Sequence, residues 1–337
     1  MHKQPRKDKT ETVLYCGIDV SARELAVAVD AGGVWQHLVV ANTAAGHRQL
    51  LERLTRPGQA VHVCLEASGT YSLDVALALS GRAQVKLSVV NPRRVRRFAE
   101  SLGERSKTDP VDARVLAEYA RRLQPEPWQP PSRGALALRG ITRAIQALVH
   151  MSTQQQNRQH AAGASRALPR LVVAELARHE NYLAKRIRRL RQAALRLVQA
   201  DPELRRCYQH LLSVPGIAEA SGLAILGELV TLPATLDARQ WVAHSGLDPQ
   251  HFHSGSSVHR PPRISRAGNH RLRAALYMPA LVAVQHDPHL AAFYSRLLAR
   301  GKAKLAALTA VMRKLLHGIH AMFHLDQDYC GDKLCPA

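Results

Sequence analysis

Aromatic residues are scarce in this chain, making up 4 % of its 337 positions. Holding single-stranded nucleic acid by base stacking takes several such rings on one surface, so contact through arginine and phosphate is expected over stacking. The five cysteines are scattered and odd in number. That excludes a disulfide framework and leaves Cys16 and Cys64 as expected buried thiols on strands. No apolar run approaches ~18 residues, so no transmembrane helix is expected. Met1 to Thr10 is charged and no apolar segment follows it, which argues against a secretory signal and for a cytoplasmic protein. No internal repeat or low-complexity tract stands out.

Acidic side chains are the remaining shortage, with 26 Asp and Glu against 47 Lys and Arg. The formal net charge is +21 and the isoelectric point about 10.5. With 46 % hydrophobic residues, the chain is expected to fold into two or three domains with real cores rather than stay disordered. Such a surplus favours a polyanionic partner, DNA or RNA, over a membrane surface. Contact through arginine and phosphate would be strongly salt-dependent.

Against that deficit, four carboxylates stand out by position. Asp19 closes the apolar run Val13-Leu14-Tyr15-Cys16-Gly17-Ile18, and Glu66 closes Val61-His62-Val63-Cys64-Leu65. Asp109 and Asp112 lie three residues apart at the start of a helical pattern, hence on one helix face, where like charges repel unless something neutralises them. Carboxylates at the ends of adjacent strands, facing such a pair, suit a hard divalent cation that activates a nucleophile at a phosphodiester. Taken singly, Asp19 also reads as a turn residue or cap, and Asp109 as an N-cap before Pro110. Arg105 and Lys107 sit beside the pair and could hold a substrate phosphate.

Strands are expected at 13–18, 25–30, 34–40, 61–66 and 86–90, and helices at 44–55, 72–80, 92–101 and 110–122. This order, three antiparallel strands leading into a parallel extension, is that of an α/β ribonuclease H-like fold. It would place Asp19 beside Glu66. After a basic tail at 1–12 and this domain at 13–124, a Pro-rich linker is expected at 125–133. Long helices then fill 134–207, with 15 Lys and Arg and four acids between Arg133 and Arg206. Arg186, Arg188 and Arg189 belong to the densest basic run. That segment reads either as a solvated face or as an antiparallel arm that pairs protomers and lines a nucleic-acid channel. A mainly helical C-terminal domain is expected at 208–325, with a tail at 326–337.

Within it, Leu211 to Leu223 resembles a helix-hairpin-helix element whose Pro215-Gly216 turn could offer backbone N–H groups to phosphate, although the same residues also make an ordinary turn. The polar stretch Gly246 to Asn269 holds Ser254-Gly255-Ser256-Ser257 among His251, His253, His259, Arg260, Arg263 and Arg266. That Ser-Gly segment reads as a flexible loop with phosphate-contacting arginines around it, or as the site of a nucleophilic serine that those arginines assist. His317, His320 and His324 share a helix face with Cys330 and Cys335 beyond. They lack a firm zinc spacing and read as a polar face and tail.

These residues also resemble a known family. Gly17-Ile18-Asp19-Val20-Ser21, Leu65-Glu66-Ala67-Ser68-Gly69-Thr70-Tyr71 and Lys107-Thr108-Asp109-Pro110-Val111-Asp112-Ala113-Arg114 are similar to motifs of the Asp-Glu-Asp-Asp insertion-sequence transposases, a group that includes pilin-gene inverting recombinases. So are Ser213-Val214-Pro215-Gly216-Ile217, Gly246-Leu247-Asp248-Pro249, Ser254-Gly255, Ile264-Ser265, Gly268-Asn269 and Leu272-Arg273. Ala22 departs from the lysine common in the family.

The resemblance implies a RuvC-like domain, a coiled-coil arm and a C-terminal transposase domain, in dimers that assemble into tetramers. It implies Mg²⁺ (or Mn²⁺) held by Asp19, Glu66, Asp109 and Asp112. It also implies Ser254 as nucleophile, with Ser256, Ser257 and Ser265 as alternates, and a structured non-coding guide RNA that pairs with donor and target DNA. Two rival readings remain: a metal-dependent junction nuclease that uses water instead of serine, and a non-catalytic RNA- or DNA-binding protein.

Overall fold

The computed structural model describes residues 13–55, 59–67, 69–104, 108–164, 167–254 and 258–334, with the side chains of 251–262 outside that set. The tail expected at 1–12 lies outside the described residues. The chain divides at Pro130 and Pro131 into two compact units.

In the first unit, β1 (Leu14–Val20), β2 (Glu24–Asp30) and β3 (Trp35–Ala41) form an antiparallel meander followed by α1 (Ala44–Leu54). Next come β4 (Val61–Glu66), α2 (Tyr71–Leu79), β5 (Val85–Val90), α3 (Pro92–Ser101) and α4 (Asp109–Leu123). The sheet order is β3-β2-β1-β4-β5, with β4 parallel to β1 and β5 parallel to β4. Elements and directions agree with the sequence expectation. The parallel strands are buried on both faces, which is why they read as nearly unbroken apolar runs.

On one face Cys16, Ile18, Val63, Leu65 and Leu87 pack with Leu50 of α1 and Val75 and Leu79 of α2. On the other, Cys64 and Val90 pack with Val95 of α3 and with Val115, Leu116, Tyr119 and Ala120 of α4. Strand side chains alternate between faces, so Gly17 and Asp19 share the face of Cys64 and Glu66. Cys16 and Cys64 are buried free thiols, as expected, and burial pushes both up, Cys64 to about 12. The proline-rich segment is not a loose linker throughout. Trp128 N–H donates to Leu87 O at 2.6 Å, and Ser88 Oγ lies 2.9 Å from the carbonyls of Pro125 and Glu126.

The second unit opens with α5 (Arg133–Gly163) and α6 (Arg170–Ala200), packed as a helical hairpin. Each helix has 31 residues, or about 46 Å of length. Its interior is partly polar: Ser152 Oγ donates to Glu180 Oε1 at 2.9 Å, and Gln155 Nε2 donates to Leu176 O at 3.0 Å. Then follow α7 (Pro202–Ser213), α8 (Glu219–Leu229), α9 (Ala238–Ser245), β6 (Pro249–Ser254), β7 (Val258–Ile264), α10 (His270–His286), α11 (Pro288–Ala299), α12 (Lys304–Leu325) and α13 (Gly331–Leu334). One core joins the base of the hairpin to these helices through Leu138, Val198, Leu211, Ile225, Leu276 and Leu316.

The polar stretch Gly246–Asn269 supplies two strands, and residues 255–257 of the expected Ser-Gly loop lie outside the described residues. β6 and β7 pair antiparallel, with a register shift between Gln250 and Phe252. Two-residue alternation was hidden because polar residues and prolines fill both strands. Among the described residues no helix is long and apolar enough to cross a membrane.

Candidate functional site

Asp19 and Glu66 leave the sheet side by side because β1 and β4 run parallel in register: Ile18 pairs with Leu65, and each carboxylate is the next residue. Both share the sheet face covered by α4. That helix comes close because Gly17 has no side chain. A methyl group there would stand 1.9 Å from Ala113 O and 2.5 Å from Ala117 N. At the other end of α4, Gln124 Nε2 donates to Tyr15 Oη at 2.9 Å, so α4 runs against the direction of β1. Its first turn, with Asp109 and Asp112, therefore lies toward the strand end that carries Asp19.

Asp109 is not the N-cap. Thr108 takes that position with extended backbone, and Asp109 and Pro110 open the helix. Acidic groups in a first turn are favoured by the helix dipole. Arg114 pairs with Glu104 and so ties the segment entering α4 to the helix itself. Arg105 and Lys107, in that segment, lie outside the described residues. The four carboxylates offer the hard oxygen donors that Mg²⁺ and Mn²⁺ take. Among the described residues, however, no group of three or more His, Cys, Asp or Glu stands close enough to hold a metal ion. The fit to a cation thus lies in donor chemistry and in convergence of three elements, not in a closed ligand set.

A clasp that sequence reasoning missed ties the two strand ends together. Asn42 Nδ2 donates to Ser21 O at 2.8 Å and to Tyr71 O at 3.2 Å, while Asn42 Oδ1 meets His47 Nε2 at 2.8 Å. Ser21 stands two residues past Asp19, and Tyr71 five past Glu66. Burial lowers the His47 pKa, with Asp74 pulling the other way. The available signal was the polar pair Asn42-Thr43 at a strand-to-helix junction.

In the second unit, Ser254 ends β6 opposite Val258. Its side chain, like that of Arg260, is outside the described set, and Ser256 and Ser257 lie outside the described residues. The base of this hairpin is heavily bonded. Ser265 Oγ donates to Asp248 Oδ1, Ser265 N–H to Asp248 O at 2.9 Å, and Asn269 N–H to His244 O at 2.6 Å. Gly268 is obligatory, since with φ +146° a methyl group would stand 2.2 Å from His244 O.

Asn269 Oδ1 caps α10 from Arg271 and Leu272 N–H, and Asn269 Nδ2 donates to Glu228 Oε2 at 2.6 Å. Glu228, 2 % exposed, also accepts from Arg143 of α5 at 2.7 and 2.8 Å. Burial works to raise the Glu228 pKa, but these donors outweigh it and hold the carboxyl low. A single glutamate in the apolar run Leu223-Ala224-Ile225-Leu226-Gly227 was the sequence signal for this hub.

Arg263 and Arg266 are exposed at the end of β7, Arg266 with left-handed backbone at φ +52°. Arg186, Arg188 and Arg189 are exposed on α6, and Arg186 lies over the Tyr182 ring at 5.6 Å. Pro215 and Gly216 form the turn between α7 and α8. Gly216 has φ +92°, and a methyl group there would stand 2.5 Å from Pro279 O of α10, so packing alone demands glycine. His320 Nε2 donates to Leu236 O at 2.9 Å, and its ring meets Trp241 edge-on at 4.9 Å. That histidine is a packing residue.

A domain model described as a transposase, of the IS110 type, matches residues 16–162. A second, the transposase IS116/IS110/IS902 family, matches 208–295. The chain is similar to the pilin gene-inverting protein of Moraxella bovis, 28 % identical over 320 residues, covering 94 % of this chain and 97 % of that protein. The pilin gene-inverting protein of Moraxella lacunata gives the same identity and coverage. The transposase for insertion sequence element IS1328 of Yersinia enterocolitica is 28 % identical over 222 residues, covering 60 % of this chain and 64 % of that protein.

Proposed function

The chain belongs to the IS110/IS116/IS902 family of transposases and is a DNA transposase or recombinase; from that premise we propose that it cuts and rejoins DNA through a serine nucleophile aided by a divalent cation. The observation that carries this reading is the parallel register that sets Asp19 beside Glu66 on the face covered by α4. In this reading residues 13–124 form a RuvC-like, ribonuclease H-type domain. Asp19, Glu66, Asp109 and Asp112 are the residues that would hold Mg²⁺, with Mn²⁺ as substitute. When bound, the cation supplies Lewis-acid stabilisation of charge at the scissile phosphate.

Ser254 Oγ forms a bond to phosphorus while a bond from phosphorus to a sugar oxygen breaks, and the sugar leaves as a hydroxyl carrying the proton. The phosphoserine conserves the phosphodiester bond, so attack by a new sugar hydroxyl rejoins DNA and returns the serine without an external energy source. That economy suits inversion of a DNA segment, the activity named for the Moraxella relatives. Ser265, whose hydroxyl donates to Asp248, is the second nucleophile candidate.

The arm of α5 and α6 pairs protomers, and dimers assemble into tetramers that bind donor and target DNA together with a structured guide RNA. Arg186, Arg188, Arg189, Arg260, Arg263, Arg266, Arg105, Lys107 and the Pro215-Gly216 turn contact nucleic-acid backbones.

The test is recombination between donor and target plasmids, with denaturing gels to trap a covalent protein–DNA adduct. Ser254→Ala is expected to abolish both signals. Persistent recombination in Ser254→Ala would refute serine chemistry, and hydrolysis without adduct would favour the water-using nuclease. Asp109→Ala is expected to lose strand cleavage while retaining DNA binding; unchanged cleavage would sink the role of the carboxylates.

A further inference from the structure

Between residues 13 and 130 the chain has 15 Lys and Arg and 12 Asp and Glu, close to balance in a protein of net charge +21. Four of those 15 occupy five consecutive positions of α3: Arg93, Arg94, Arg96 and Arg97, all exposed. Packing forces them outward. Val95 is buried against α4, and Phe98 meets Tyr119 edge-on at 5.2 Å, which fixes the opposite face of the helix.

Positions three and four apart on a helix are neighbours, so Arg93 repels Arg96 and Arg97, and Arg94 repels Arg97. The helix supplies one acid for four guanidinium groups, Glu100, which pairs with Arg96. Elsewhere in the unit, Arg114 pairs with Glu104, and Arg121 and Arg122 share Glu118. Among the described residues, the side chains of Arg93, Arg94 and Arg97 make no hydrogen bond or ion pair. A ridge of this kind is electrostatically costly unless a polyanion neutralises it.

Its place in the fold says which one. Val90, the last residue of β5, pairs with Glu66, and α3 begins two residues later. The ridge therefore starts at the sheet end where Asp19 and Glu66 emerge. A site built from carboxylates repels the phosphates it must admit, and a row of guanidinium groups beside it offsets that repulsion.

We propose that the exposed face of α3 is the surface on which the DNA backbone is held beside the carboxylate site, with Arg93, Arg94 and Arg97 as phosphate contacts. This rests on the reading of the carboxylates as the site of strand cleavage.

The experiment measures affinity for duplex DNA across a salt series, using the full chain. Arg93→Gln/Arg94→Gln/Arg97→Gln is compared with Arg48→Gln/Arg53→Gln/Arg82→Gln, which removes the same charge from the side of α1 and α2. The ridge variant is expected to lose about 0.9 from the magnitude of the log–log salt slope for each contact removed, and the control much less. Arg93→Lys/Arg94→Lys/Arg97→Lys should keep most of the slope. Circular dichroism checks the fold, and should the triple variant melt, each single Gln variant still reads its own contact.

Equal slopes for the ridge variant and the control would overturn the proposal, as would a defect seen with RNA but not DNA. Wild-type protein that binds DNA yet shows no cleavage dependent on Asp109 would instead sink the functional reading and leave the ridge standing as a DNA surface.

Discussion

Gly17 of β1 and Ala113 of α4 touch backbone to backbone, with room for no more than a hydrogen: a methyl group on Gly17 would stand 1.9 Å from the Ala113 carbonyl oxygen. The contact sits two residues before Asp19 and one after Asp112, so it sets the distance between the two halves of the acidic group. Gly17→Ala is expected to push α4 off the sheet at a cost of at least about 1–3 kcal/mol, the usual range for overpacking. Because the obstacle is backbone, the cost should lie at the upper end. Thermal denaturation and plasmid recombination check it; a variant of wild-type stability and activity would show that α4 does not need this approach.

Asn42 should matter for activity more than for stability. It holds the turn after Asp19 and the start of α2 after Glu66, and His47 holds it in turn. Groups that orient metal ligands are commonly worth 10–100-fold in metal affinity or activity, and in the proposed reading Asn42 would orient Asp19 and Glu66 through the backbone that follows them. Asn42→Ala is expected to lower recombination by about that factor and to raise the Mg²⁺ concentration needed for half-maximal rate. A loss of rate with no change in metal requirement would assign Asn42 a purely architectural role.

Glu228 links three elements of the second unit, accepting from Arg143 of α5 and from Asn269 at the start of α10. Glu228→Gln keeps the shape and removes the charge. Hydrogen bonds to charged groups contribute about 1.5–3 kcal/mol, and the Arg143 side chain is 41 % exposed, so a loss of about 2 kcal/mol is expected in urea unfolding. Arg143→Met should behave similarly, and the double variant should lose less than the two losses combined.

Two histidines give the units opposite responses to pH. His62 is buried on β4, and burial first, then the charge of Lys86, lowers its pKa to about 4, with Gln124 pulling the other way. Its folded value lies below its unfolded value, so the unfolded chain takes up the proton first. The stability it contributes is present in full above pH 6.5 and is lost as pH falls toward 4, up to roughly 3 kcal/mol at about 1.4 kcal/mol per unit.

His210 on α7 is the reverse. Burial works against its charge, but hydrogen bonds to Asp326 at 2.9 Å and Asp328 at 2.8 Å outweigh burial and raise its pKa. Its hold on the C-terminal tail is complete below pH 6.5 and weakens as pH rises through the raised value. His62→Gln should flatten the acid limb of stability. Trimming of the tail by carboxypeptidase should speed up with pH in wild type and be fast throughout in His210→Ala. A tail whose trimming ignores pH would refute the His210 clamp.

What the sequence by itself determined was whatever local pattern and covalent order fix. Buried parallel strands must be continuously apolar, so β1, β4 and β5 stood out, and an acid closing such a run had to lie at a strand end. Helical spacing put Asp109 and Asp112 on one face. Charge balance pointed to nucleic acid before any contact was known.

Only the tertiary structure decided the rest, because it depends on groups far apart in the chain. The polar segments flanking the serines form paired strands because they are held by each other and by a base built from Asp248, Ser265 and Asn269. Thr108, not Asp109, caps α4. Gly216, legible as a turn glycine, is also demanded by its contact with α10, some sixty residues away in sequence. The Asn42 clasp and the arginine ridge of α3 gain meaning from the strand ends beside them. No period or motif marks such neighbours, since a side chain's partner across a sheet or between helices is chosen by packing and not by sequence distance.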